Sequence, residues 1–131
     1  MPLIGDRPEL NFNAVIYGTD FSVCSQNAGL YSAFMAEHFS AELLVAHAFT
    51  LSQAALEVEI DGSLVSQQRQ DLQLLLSQKA SALASGSIET IPILLDGDPK
   101  DTLPRLADKY QPSLLVLGTH GGGWVEPSWG W

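Results

Sequence analysis

Two short segments carry the residues best able to do chemistry. Thr19-Asp20-Phe21-Ser22 sets a carboxylate and two hydroxyls directly after the apolar run Ala14-Val15-Ile16-Tyr17. A carboxylate at that point can accept hydrogen bonds from a ligand's hydroxyl or amino groups, or it can cap the helix that follows. The second segment, Gly118-Thr119-His120-Gly121-Gly122-Gly123, follows the apolar residues 114–117. Glycine adopts positive φ without strain, so a loop of this kind lets backbone N–H groups approach an anion closely. The bland reading is a flexible turn after a strand.

Other reactive side chains are less informative. His38, His47 and His120 have no metal-ligand spacing, and no metal site is expected. His47 reads as a strand-end histidine with satisfied nitrogens, and His38 as a helix-surface residue. Cys24 is the single cysteine, which excludes an internal disulfide; near a helix start its thiol can be acidified, but a small inert thiol is the simpler reading. No serine has a histidine and carboxylate relay, so no catalytic residue is assigned.

The totals bound the rest. One domain is expected from 131 residues, and six basic against fifteen acidic side chains give a net charge of −9. Such a surface repels phosphate backbones, which argues against a nucleic-acid partner but not against one small nucleotide held by backbone groups. No signal peptide and no apolar run of bilayer length are seen, so a cytoplasmic protein without membrane association is the expectation.

The elements that must position these segments follow from periodicity. Residues 1–12 read as an irregular arm. Strand 1 covers residues 14–17, and Ser22 caps a helix whose apolar stripe is Ala28, Tyr31, Met35 and Phe39, with Phe34 beside it. Strand 2 is residues 43–49. A second helix spans residues 64–84, with Leu72, Leu75, Leu76, Ala80 and Leu83 inward and Gly86 at its stop. Strand 3 is residues 88–95, placed at an edge because Pro92 donates no ladder hydrogen bond. Asp98-Pro99 opens a third helix with Leu103, Leu106, Ala107 and Tyr110 inward, and residues 114–117 form strand 4. The alternation predicts an α/β, three-layer doubly wound sandwich: a parallel sheet of four strands with helices on both faces. Ligands in such sheets sit beyond the carboxyl ends of the strands, where strand order reverses, here after strands 1 and 4.

Those two regions resemble the universal stress protein family. Thr19-Asp20-Phe21-Ser22 with Ser25, Ala28, Tyr31 and Ala36 is similar to its first strand and helix. Residues 41–47 resemble its second strand, and Gly97-Asp98-Pro99 through residues 115–121 its third helix and fourth strand. The resemblance covers roughly residues 13–121. It implies an adenine nucleotide, ATP or AMP, bound by Thr19, Asp20, Ala48, Gly118, His120, Gly121 and Gly122. Asp20 would lie beside the nucleoside, and the backbone of Ala48 would face the adenine. It also implies a stress-response role that is regulatory rather than metabolic, with any ATP hydrolysis slow and incidental.

One departure stands out. ATP-binding members carry glycine, two residues, glycine, nine residues, glycine and then serine or threonine. Gly118 and Gly121 fit the first two, but Trp131 occupies the third position. The family's last helix and fifth strand are not expected here, so residues 13–123 form the domain and residues 124–131 an atypical, truncated or replaced tail. Its three tryptophans cover a sheet edge, contact a second subunit or are disordered. Without a fifth strand, strand 4 would become an apolar edge, which favours self-association as a homodimer. The alternative function is a dimeric interaction module that binds no nucleotide.

Overall fold

The computed structural model describes residues 12–50, 63–119 and 122–128. The first apolar run extends into β1, Ala14–Thr19, buried along its whole length. Then follow α1 (Val23–Phe39), β2 (Glu42–Phe49), α2 (Ser63–Leu83), β3 (Thr90–Asp96), α3 (Pro99–Lys109), β4 (Ser113–Thr119) and β5 (Gly122–Ser128). The strands make one sheet in the order β3-β2-β1-β4-β5. The first four are parallel, as the alternating pattern predicts, and β3 lies at an edge. Strand order reverses at β1: the chain moves outward through β2 to β3, then crosses back to β4 on the other side.

Local chemistry starts and stops the helices. Ser22 caps α1 by accepting from the Ser25 N–H at 3.2 Å, and Ser40 ends it in the left-handed region at φ 53. Asp98 caps α3 by accepting from the Lys100 N–H at 2.9 Å, with Pro99 in the first turn. Each face of the sheet then has its own core. Val15, Tyr17, Leu43, Val45 and Val116 pack against Ala28 and Ala36 of α1 and Leu76 and Ala80 of α2. On the opposite face Ala14, Ile16, Leu44, Ala46 and Leu115 pack against Leu103, Leu106 and Ala107 of α3.

The inward stripe of α1 is only partly the expected one: Ala28 is buried and Met35 and Phe39 pack against the core, but Tyr31 does not. Ser25, Ala28, Ser32 and Ala36 face the sheet, whereas Tyr31 and Phe34 are 46% and 65% exposed. Small residues win because this helix approaches the strands too closely for large ones. A Cβ on Gly118 would stand 2.5 Å from the Ser25 Cα, and one on Gly29 would stand 2.9 Å from the Tyr17 ring. The two buried serines satisfy their hydroxyls locally, Ser32 Oγ donating to the Ala28 carbonyl at 2.7 Å. On α2, Leu76 and Ala80 are buried as expected, but Leu75 is 40% exposed.

A second correction concerns the edge. β4 does not become one, because β5 pairs with it antiparallel, from Thr119↔Gly122 to Ser113↔Ser128. Residues 124–128, read from sequence as part of a tail, thus supply most of the fifth strand. The two outer strands each contain a proline, Pro92 in β3 and Pro127 in β5. No helix of the described residues is long and apolar enough to cross a membrane.

Two substitutions test this packing. Gly118→Ala forces a methyl group against the α1 backbone and is expected to lower stability by about 1–3 kcal/mol, read as a reduced urea midpoint. Leu76→Ala empties a fully buried position and is expected to lower it by about 2–5 kcal/mol; a change under half a kilocalorie would contradict the helix placement.

Candidate functional site

A hydroxyl network fixes the turn between β1 and α1. Ser25 is fully buried and its Oγ donates to the Ser22 carbonyl at 3.0 Å. The same oxygen meets Thr19 Oγ1 at 2.9 Å and Tyr17 OH at 3.2 Å, and the tyrosine hydroxyl also donates to the Ser25 carbonyl. Thr19 Oγ1 in turn accepts from the Phe21 N–H at 2.9 Å. These bonds hold Phe21 at φ 64, a left-handed conformation that bulky residues adopt only under constraint. The Phe21 ring lies 4.4 Å from that of His47. His47 Nδ1 is 2.7 Å from the Thr19 carbonyl, and because a carbonyl only accepts, that nitrogen carries the proton.

This braced turn forms one wall of a cleft of about 420 Å³ at the carboxyl ends of the strands. β1 and the residue after it contribute Gly18, Thr19 and Asp20, and the end of β2 contributes His47 and Ala48. Pro99, Lys100, Leu103 and Pro104 of α3 form the facing wall, and Leu115, Leu117 and Gly118 of β4 the floor. The volume lies within the range of about 300–1,000 Å³ usual for small-molecule sites, and apolar side chains dominate the lining. Gly18 keeps the floor thin, because a Cβ there would stand 2.6 Å from Leu117 and 2.8 Å from Leu103.

The cleft thus collects four residues singled out from sequence: Thr19, Asp20, Ala48 and Gly118. Thr19 stands opposite Gly118 in the β1–β4 register, so the two strand ends adjoin. Their roles differ. The Thr19 side chain belongs to the buried network and reaches the cleft through its backbone. Asp20 is exposed, and its Oδ1 accepts from the Ser22 N–H at 2.9 Å, so it steadies the helix start while lining the cleft. Gly118 and Gly122 correct the expectation of a glycine loop. Gly118 lies inside β4, flanked by Thr19 and Gly123, and Gly122 pairs with Thr119 at the start of β5. Ladder pairing therefore competes for their backbone groups. His120 and Gly121 lie outside the described residues.

Sequence reasoning missed the α3 wall. The spacing of Pro99, Leu103 and Pro104 gave core positions and a helix start, but not which of them would border a cavity. Lys100 carried no motif at all. No group of three histidine, cysteine or carboxylate side chains among the described residues could hold a metal ion.

Comparison with known proteins gives this geometry a context. Residues 11–127 match the Universal stress protein family. A comparison with curated proteins found no match. Among solved structures, the chain is similar to a universal stress protein family member from Burkholderia pseudomallei, at 20% identity and a TM-score of 0.69 over 86% of both chains. It is also similar to UspA from Lactobacillus plantarum, at 17% identity and a TM-score of 0.68, covering 86% of this chain and 83% of that one. A universal stress protein solved in complex with cAMP matches at 23% identity and a TM-score of 0.50, over 75% and 70% of the two chains. With the family match spanning residues 11–127 and the overall fold similar to that of these structures, the chain belongs to the universal stress protein family.

Proposed function

We propose that the cleft binds an adenine nucleotide or nucleoside and that the protein uses it as a regulatory signal in stress response, without catalysing its turnover. The observation that carries this reading is the convergence of Asp20, Ala48 and the backbone of Gly118 on one apolar cleft at the reversal point of the sheet. Asp20 supplies the acceptor for ribose hydroxyls, the Ala48 backbone faces the edge of the base, and Leu103, Pro104 and Leu117 give it an apolar bed. A family relative solved with cAMP adds support for this ligand class. Among the described residues no nucleophile paired with a general base lines the cleft, in keeping with a binding role.

Thermal denaturation with adenosine, AMP, cAMP and ATP tests the reading, because a ligand of the native state raises the melting temperature. Asp20→Ala is expected to weaken binding about 10-fold or more, the effect of losing a hydrogen bond to a charged group. No shift with any of the four compounds would reject the assignment.

A second reading, an interaction module acting through a homodimer, is favoured by the outward face of α1. Val23, Leu30 and Phe34 are 80%, 64% and 65% exposed and recur at seven and four residues. That spacing makes a helical seam able to pack against the same seam of a second copy about a two-fold axis. Phe34→Glu is expected to shift a dimer to monomer in sedimentation at tens of micromolar; wild-type protein already monomeric there would exclude this interface.

A further inference from the structure

The charges around the cleft specify more than its location. Building on the nucleotide reading above, we infer that the cleft selects weakly charged ligands, a purine nucleoside or its monophosphate, over nucleoside polyphosphates.

Three observations carry this. First, the described lining holds one anion and one cation, Asp20 and Lys100, so these residues offer a polyphosphate no net positive field. Arg69, which reaches the end of β3, is held by Asp96 at 2.7 Å. From Tyr110 to Trp131 the sequence contains neither lysine nor arginine. The chain as a whole carries −9.

Second, the N-terminus of α3 borders the cleft but is already occupied by an anion. The Asp98 carboxylate accepts from the Lys100 N–H, and the Asp98 carbonyl accepts from the Asp101 and Thr102 N–H groups, each at 2.9 Å. A phosphate approaching these donors would meet the Asp98 charge, with Asp101 in the same turn. Third, the next described element after β4 is the antiparallel strand β5. Among the described residues no helix follows β4, so no helix N-terminus adds its N–H groups to a phosphate site on that side.

What remains is an apolar bed for a base, an acceptor for sugar hydroxyls and one lysine able to balance a single phosphate. Each added phosphate brings negative charge toward Asp20 and Asp98 without a new partner. Repulsion of this kind is screened by salt, whereas attraction to a cationic site would be weakened by it.

Isothermal titration of the full chain with adenosine, AMP and magnesium-free ATP, at low and high salt, separates the possibilities. Adenosine and AMP are expected to bind within a few-fold of each other and ATP about tenfold or more weaker, the gap narrowing as salt is raised. Asp98→Asn keeps a capping side chain but removes the charge, and is expected to raise ATP affinity several-fold while leaving adenosine unchanged. ATP binding tighter than adenosine and weakening with salt would overturn the selectivity while leaving the cleft as a nucleotide site. An unchanged ATP-to-adenosine ratio in Asp98→Asn would likewise overturn its electrostatic basis. Absence of heat with all three ligands would remove the nucleotide reading itself, and the selectivity with it.

Discussion

The close approach of α1 to the sheet at Gly118 governs what the carboxyl end of this molecule can be. With the Ser25 Cα standing where a side chain of residue 118 would go, β4 must carry glycine and α1 must present small residues at its first turns. That proximity brings Ser25 Oγ within reach of Tyr17, Thr19 and the Ser22 carbonyl. The resulting network holds Phe21 in its unusual conformation and Asp20 at the cleft mouth. Loosening one contact would therefore disturb packing, helix capping and the cleft wall together. A buried polar network costs stability unless each member is satisfied, and no buried side-chain nitrogen or oxygen among the described residues lacks a partner.

Much of this was legible in the residues, because the strongest signals were local or strictly periodic. Continuous apolar runs identified strands 1 and 4, largely apolar stretches the two others, Pro92 placed β3 at an edge, and Ser22 and Asp98 marked helix starts. The α1 stripe was read in part, Ala28, Met35 and Phe39 meeting the core but Tyr31 facing outward, because hydrophobicity alone cannot reveal interaxial distance. Tyr31 and Phe34 are better core formers than Ser25 and Ser32 in any transfer scale, yet a helix this close to the strands has room for serine and none for tyrosine. The same blindness hid the fifth strand. The glycines before Trp124 read as a loop and residues 124–131 as a tail, and antiparallel pairing with β4 is a tertiary preference that overrides such local signals.

The candidate site was legible to a similar depth. Position within the fold located Asp20 and Gly118, since the end of a strand at a reversal point is where such sheets open, whereas Ala48 came only from the family resemblance. The meaning of Gly118 was not accessible from sequence. A glycine that lets a phosphate approach and one that lets a helix approach look identical in a motif, and here the helix contact is the one resolved. The pairing of β4 with β5 also changes the meaning of Gly118, Gly122 and Gly123, because these glycines serve a ladder before they serve any ligand.

The prolines on the two outer strands have a consequence for assembly. Pro92 and Pro127 each delete one hydrogen-bond donor from a strand at the rim of the sheet. An incoming strand would find a broken register on either flank, which makes the sheet a poor template for end-to-end stacking into fibrils. Any association between copies would then rely on side-chain surfaces rather than on backbone zippering along the sheet rim.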